Sequence, residues 1–225
     1  ESLNNNMVEI DLMKRYPKSV RDNIIEDRKK VSNEDIKIAR QFGKEYFDGE
    51  RWQGLGGYYY NSKYFTPVVE DFISHYGLTD ESKILDVGCG KGFMLHDFKK
   101  ALPNVSLAGI DISKYCLKNT METVKDVCTF ASCDSLPFAD NSFDLVVAIA
   151  TIHNLDKNGV KKSLEEIQRV SKKDSYIKVN GYKNEEEKKL LNEWNLVAKT
   201  ILHVDEWLEL FKQTGYTGDY SWFTP

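Results

Sequence analysis

LDVGCGKGF, Leu85 to Phe93, is a short apolar run carrying an acid, Asp86, followed by glycines at 88, 90 and 92. Glycines spaced in this way at a strand-to-helix turn remove side chains where a ligand must lie against the backbone, so a nucleotide of some kind is indicated. Two common nucleotide loops do not fit. A dinucleotide loop, GxGxxG, wants glycine at 93, where Phe93 stands, and Gly92 comes one residue early. A phosphate-binding P-loop wants Ser or Thr after the lysine, and Lys91 is followed by Gly92.

Outward from this loop, apolar runs alternate with amphipathic ones. Strands are expected at KILDVG (83–88), SLAGIDI (106–112), VCTFAS (127–132), FDLVVAIA (143–150) and YIKVNGY (176–182). Helices are expected after Gly92, after Ser113 and around Val160, Leu164, Ile167 and Val170. Thr66 and Pro67 read as N-cap and first residue of a helix that Gly77 stops. The pattern predicts an α/β fold: a Rossmann-like, doubly wound, mainly parallel sheet covered on both faces. Ligands in such sheets bind beyond the carboxyl ends of the strands. After the fifth strand come helices over about 185–199 and 205–214, with Gly215 as a stop, and one further strand, GDYSWF, Gly218 to Phe223.

Residues 1–65 differ from the 66–225 domain and read as an N-terminal helical and aromatic extension. A helix starts at Ser32 with Asp35 three residues on, and Ile36, Ala39, Phe42 and Tyr46 recur at helical spacing. The alternating charges from Arg21 to Lys30 read as a solvated helix face. Trp52, Tyr58, Tyr59, Tyr60 and Tyr64 then crowd together among glycines. They read either as a lid over the ligand site or as the seam joining the extension to the sheet.

The composition sets outer limits. With 225 residues, 41% of them hydrophobic, the chain fills a sizeable core. Its net charge of −4 opposes a nucleic-acid partner. No run approaches the roughly 18 apolar residues of a membrane span. Cys89, Cys116, Cys128 and Cys133 show no CxxC spacing, so no metal site is expected and they read as free thiols in the cytoplasm.

The loop and the segments after it resemble the class I S-adenosylmethionine-dependent methyltransferases, whose first motif is an acid followed by GxGxG: here Asp86, Gly88, Gly90 and Gly92. The resemblance covers roughly Ser82 to Tyr182. It implies that Asp111, in GIDIS, binds both ribose hydroxyls, since a carboxylate can accept two hydrogen bonds at once, with Ile112 beside it. CDSLPFADNSFDLV, Cys133 to Val146, resembles the family's segment after the third strand and implies that Asp134 and the Ser135 backbone N–H hold the adenine. Ala150 ends the fourth strand at the donor site. The implied cofactor is S-adenosyl-L-methionine, with S-adenosyl-L-homocysteine as product. The usual fold of the class ends in a hairpin with an antiparallel last strand, whereas only one strand candidate follows Gly215. The sheet is therefore expected to be a strand short or differently wired.

Methyl transfer is an in-line displacement, which asks for alignment and exclusion of water, and for a base only when the acceptor must lose a proton. His153, in IATIHNLD (149–156), follows the fourth strand and fits a base, a substrate contact or a structural residue capping the next helix or pairing with Asp156. Asn154 is a polar clamp for substrate in the same neighbourhood. Tyr58, Tyr59, Tyr60 and Tyr182 are the other candidates for substrate contact, with Asn180 and Trp194 behind them. His75, His96 and His203 read as structural or surface residues. The expected function is S-adenosylmethionine-dependent methylation of a small-molecule acceptor at O, N or C, a sugar or secondary metabolite being among the candidates. The alternatives are a sensor or regulatory protein that binds S-adenosylmethionine without turnover, and a dinucleotide oxidoreductase, against which Phe93 argues. The residues do not read out an oligomeric state.

Overall fold

The computed structural model describes residues 7–18 and 21–225. In chain order its elements are α1 (Arg21–Arg28), α2 (Asn33–Ala39), α3 (Lys44–Asp48), α4 (Ser62–Tyr76), β1 (Lys83–Val87), α5 (Phe93–Ala101), β2 (Ser106–Asp111) and α6 (Lys114–Lys118). There follow β3 (Cys128–Phe130), β4 (Phe143–Ile149), α7 (Lys157–Val170), β5 (Ser171–Tyr182), α8 (Glu185–Trp194), β6 (Leu202–His203), α9 (Val204–Thr214) and β7 (Asp219–Phe223).

The strands form one sheet in the order β3-β2-β1-β4-β5-β6, with β7 also on β5, and every pairing is parallel. Chain order reverses between β1 and β4, which opens a crevice beyond their carboxyl ends. Both faces are covered because the central strands carry apolar side chains at most positions, on both sides of the sheet. In β4, Val146 and Ala148 join one core with Val160, Leu164 and Ile167 of α7 and Trp207 and Phe211 of α9. Leu145 and Val147 join the opposite core with Val69 and Phe72 of α4 and Phe98 of α5. A period of two with both halves apolar is what a doubly covered parallel strand requires.

The last part of the sheet is differently wired, one of the two expected outcomes. β7 runs parallel to β5, from Tyr176↔Asp219 to Asn180↔Phe223. The two-residue β6, which carries no apolar run to announce it, pairs with Gly181 and Tyr182. The N-terminal segment then lies along the other edge of β7: Ile10 N–H donates to the Tyr220 carbonyl at 2.9 Å, and Tyr220 N–H to the Val8 carbonyl at 3.1 Å. Leu12 and Met13 beyond it are buried in the core against α4.

Several boundaries differ from expectation. α4 starts at Ser62, with Asn61 as its cap, so Thr66 and Pro67 lie inside the helix and the division at 65/66 falls within it. Nothing between Ser62 and Phe65 opposes helix, and Thr66 instead donates its hydroxyl to Asp97 at 3.1 Å. Ser32 and Asp35 do form a capping box, but the helix ends at Ala39. Phe42 takes a left-handed φ of 51°, and α3 restarts after Gly43. β5 begins five residues earlier than expected, through the polar stretch SKKDS, which pairs irregularly with β4 near Phe143. The charged face of α1 is solvated only in part. Lys29 and Lys30 make surface pairs, while half-buried Arg28 donates to the carbonyls of Trp194 and Trp52 at 3.1 and 3.2 Å.

Candidate functional site

The crevice holds a cavity of about 290 Å³. Its floor is the glycine loop. β1 ends at Val87, and Gly88, Gly90 and Gly92 all take left-handed φ values, 83°, 54° and 80°. A side chain at Gly88 would strike Thr151 Oγ1 at 2.3 Å, and one at Gly90 would strike the Tyr58 hydroxyl at 2.7 Å. The first clash fixes the loop against the end of β4. Thr151 arrives there because Ala150, with φ of 53°, turns the chain sharply after the strand, an uncommon conformation for a residue with a side chain. Thr151 then donates its hydroxyl to the Val87 and Ile149 carbonyls at 3.2 and 3.0 Å.

Two carboxylates line this floor. Asp111 closes β2, and its two oxygens accept the backbone N–H groups of Gly90 at 2.7 Å and Ser113 at 2.8 Å, so the acid also holds the glycine loop in place. Each oxygen retains a lone pair for a ligand hydroxyl. Asp86 is buried in β1, and burial, with the Asp111 charge behind it, pushes its carboxyl up to about 7. A buried acid held at that value lowers its energy by meeting a cation. Burial also pushes Asp111 up, against the pull of its backbone hydrogen bonds.

The roof comes from the extension. Phe42, Tyr46, Phe47, Leu55 and Tyr58 line the cavity, joined by Tyr16 and by Phe65 of α4. Tyr58 packs between Phe93 and Phe47, with ring centroids 4.5 and 5.4 Å away. The break at Phe42 allows this: the Phe42 carbonyl accepts the Ser113 hydroxyl at 2.6 Å, and α3 turns Phe47 inward.

Of the residues expected at the site, Asp86, Gly88, Gly90, Asp111, Ile112, Ala150, Asn154 and Tyr58 line one cavity. Gly92, Asp134, Ser135, Tyr59, Tyr60, Tyr182 and His153 do not. Gly92 begins α5 and packs against Val124 and Thr120. Ala131, Ser132 and Cys133 line the cavity where the sequence points to Asp134 and Ser135, because the chain meets the site at the first residue of the quoted motif and the two before it. Tyr59 is 71% exposed. Tyr60 turns its hydroxyl to Asp97 at 2.6 Å, and Tyr182 packs edge-on against His203.

His153 lies behind the wall, only 5% exposed. Its Nδ1 accepts the Asn180 N–H at 3.0 Å, while its carbonyl accepts the N–H groups of Lys199 and Thr200, both at 3.0 Å. Neither expected structural partner applies: Asp156 is itself the cap of α7, accepting from Gly159. Burial lowers the imidazole to about 4. Sequence reading passed over Thr151, Cys133 and the roof residues Phe42, Tyr46, Phe47 and Leu55. Only the helical spacing of Phe42 and Tyr46 hinted at them, and it pointed to a packing stripe.

Residues 85–179 match the family model described as a methyltransferase domain, and the glycine loop held by an acid at the end of β2, with the cavity beyond β1, β2 and β4, resembles the site of class I S-adenosylmethionine-dependent methyltransferases, while the all-parallel end of the sheet departs from the antiparallel last strand usual in that class. Proteins of this class take S-adenosylmethionine as methyl donor. Among curated proteins, the chain is 36% identical over 91 residues to mouse arginine-hydroxylase NDUFAF5, mitochondrial, a match covering 40% of this chain and 26% of that protein. It is 37% identical over 102 residues to the ubiquinone/menaquinone biosynthesis C-methyltransferase UbiE of Rickettsia felis, covering 40% of each. The chain thus spans less than half the length of these relatives. Among solved structures, YcgJ from Bacillus subtilis superposes with a TM-score of 0.54 at 23% identity, covering 65% of this chain and 66% of that one, a likeness of fold.

The residues present fit the donor of the class. Asp86 and Asp111 supply anionic acceptors suited to a cationic ligand bearing a diol, and the backbone of Gly88 and Gly90 lines the cavity beside them. Asn154 Oδ1 is buried with no hydrogen-bond partner among the described residues, an acceptor held ready for a donor that the protein itself does not provide. Among the described residues no group of metal-ligating side chains could hold an ion, and no helix is long and apolar enough to cross a membrane.

Proposed function

We propose that this chain transfers a methyl group from S-adenosylmethionine to a small, flat, largely apolar acceptor whose reacting atom is nucleophilic without help from a base. The observation that carries this reading is the composition of the cavity: two acids and a bare glycine loop on the floor, rings above. S-adenosylmethionine, when bound, supplies an electrophilic methyl group on a sulfonium. Asp111 accepts from the ribose, Asp86 opposes positive charge, and Phe42, Tyr46, Phe47 and Tyr58 exclude water and align the acceptor from above. Of the N-terminal extension, the stretch 42–58 serves as the lid, and Asn154 orients donor or acceptor through its unpaired oxygen.

With Asp86, whose carboxyl is pushed up to about 7, assigned to the donor, the remaining wall residues offer no base to the acceptor, which supports the second half of the proposal. His153 faces away from the cavity and holds its proton too weakly to act near neutral pH. The titratable side chains of the wall are otherwise pushed up: Tyr46 to about 12 and Cys133 to about 11, each chiefly by burial, and Tyr58 and Cys89 well above their ordinary values. Such groups donate hydrogen bonds and do not take protons. Carboxylates, phenolates, amines and activated ring carbons therefore suit the site better than simple alcohols such as sugars. The name of the C-methyltransferase relative agrees with a ring-carbon acceptor.

Withdrawal of His153 equally favours a second reading, a protein that binds the donor and performs no chemistry. Release of S-adenosylhomocysteine across a panel of ring-bearing acids, phenols, amines and sugars separates the two. The proposal expects turnover confined to acceptors ionised or nucleophilic at neutral pH. Donor binding without turnover on any member would favour the sensor, and preference for sugars would contradict the base-free site.

A further inference from the structure

Lys91 stands inside the glycine loop, between Gly90 and Gly92, yet its side chain leaves the floor and runs into the roof. Its ammonium meets Asp48 Oδ2 at 2.6 Å and the Tyr58 carbonyl at 2.8 Å. Both side chains of this ion pair are only 8% exposed. The rings of Tyr58, Tyr59 and Tyr115 surround the ammonium at 5.5 to 5.6 Å. Asp48 is saturated in turn: its Oδ1 accepts the Tyr58 N–H at 2.8 Å, and its Oδ2 accepts the Tyr115 hydroxyl at 2.5 Å as well as Lys91. Burial pushes the Asp48 carboxyl up, but these hydrogen bonds overcome it and leave the group below its ordinary value.

The segment pinned in this way is rich in glycine and carries the roof. Five glycines, 43, 49, 54, 56 and 57, interrupt the stretch from Phe42 to Tyr60. Outside the cluster it is held by the Ser113–Phe42 and Tyr60–Asp97 hydrogen bonds at the two ends and by Arg28 on the Trp52 carbonyl midway. Between them lie Tyr46, Phe47, Leu55 and Tyr58, which close the cavity. The Tyr58 hydroxyl rests so near Gly90 that no side chain fits between them, so the ring covers that glycine from the roof. A buried ion pair is a weak source of stability, because desolvation offsets the attraction, but it fixes one arrangement against others.

We infer that Asp48 is a positioning residue: its pair with Lys91 latches the roof to the glycine loop, and it must release and re-form each time the donor enters or the product leaves. The inference rests on the proposed donor site. It accounts for the lysine in the loop and for Tyr59, which sits beside the ammonium instead of lining the cavity. The latch predicts that breaking the pair speeds exchange in both directions while altering equilibrium affinity less.

The test uses the full chain and S-adenosylhomocysteine as probe. Stopped-flow binding to Asp48→Asn should show association and release each at least about tenfold faster than wild type, because breaking a buried charge pair removes interactions of that order or more. The Kd should move by less than either rate. Limited proteolysis without ligand should cut the variant faster within residues 43–59. Lys91→Met should behave alike, and the double variant should be no faster than either single one. Asp48→Glu should restore part of the slow release, which a merely structural defect would not show. Should Asp48→Asn melt far below wild type, Tyr115→Phe, which removes one hydrogen bond from the cluster, carries the same comparison. Wild-type rates together with unchanged proteolysis in these variants would overturn the latch while leaving the donor site standing. A wild-type chain that binds no S-adenosylhomocysteine would overturn both, and the proteolysis pattern would still report whether the pair holds the segment.

Discussion

His153 and Asp86 titrate in opposite senses over nearly the same range. The imidazole is held neutral down to about 4, so between there and its ordinary value near 6.5 the unfolded chain binds a proton that the folded chain refuses. Its contribution is therefore present above that window and is lost as pH falls through it, a swing on the order of 3 kcal/mol. Asp86, raised to about 7, binds a proton when folded that the unfolded chain releases, so its contribution falls as pH rises from about 4 to 7. The wild-type curve mixes the two. The difference between wild type and His153→Ala isolates the imidazole. We expect this variant to lose about 2–4 kcal/mol near neutral pH, from the cavity and the orphaned Asn180 N–H, and to lose less at pH 4. Its turnover per folded molecule should stay within about threefold of wild type, a margin far below the 10²-fold or more that removal of a general base costs. Denaturant melts across pH, paired with initial rates, check this. A fall in turnover of 10²-fold at unchanged stability would return His153 to the reaction. Sequence position could not settle the matter, since both readings put a histidine after β4 and only the direction of the ring separates them.

At the scale of elements, the central strands were legible because burial on both faces leaves continuous apolar runs, and Val160, Leu164, Ile167 and Val170 were legible as the buried stripe of α7. What could not be read was polar or brief. SKKDS looks like a loop and extends β5; Leu202 and His203 are too few to show a period; and Val8 to Ile10 become sheet only because β7 presents an open edge. The parallel run of β7 leaves no hairpin to close that edge, and the N-terminal segment covers it, consistent with the need to satisfy an exposed strand. Leu12 anchors the segment in the core beside Phe72 and Tyr176. Leu12→Ala should cost about 2–4 kcal/mol, which for a chain of this size lowers Tm by on the order of 10 °C. A calorimetric scan checks this. A shift under about 2 °C would mean that the segment is dispensable to the sheet.

Over the whole molecule, the sheet offers a site and the extension completes it. The floor of the cavity was readable from sequence because its requirements are local: a glycine loop, then an acid at the end of the next strand. The roof was not, because Phe42, Tyr46 and Phe47 reach the cavity only after a helix breaks and long-range contacts to Ser113 and Lys91 set its angle. The family model divides the chain in the same way, matching residues 85–179 and leaving the extension and the end of the chain outside. The central claim, that this cavity binds S-adenosylmethionine through the carboxylate of Asp111, is tested most directly by calorimetric titration of wild type and Asp111→Ala with S-adenosylhomocysteine and with NAD. We predict one molecule of S-adenosylhomocysteine per wild-type chain, affinity weakened about 100-fold or more in the variant through loss of two charge-assisted hydrogen bonds, and no heat with NAD. Binding of NAD without any response to S-adenosylhomocysteine, or equal affinity in the two proteins, would contradict it.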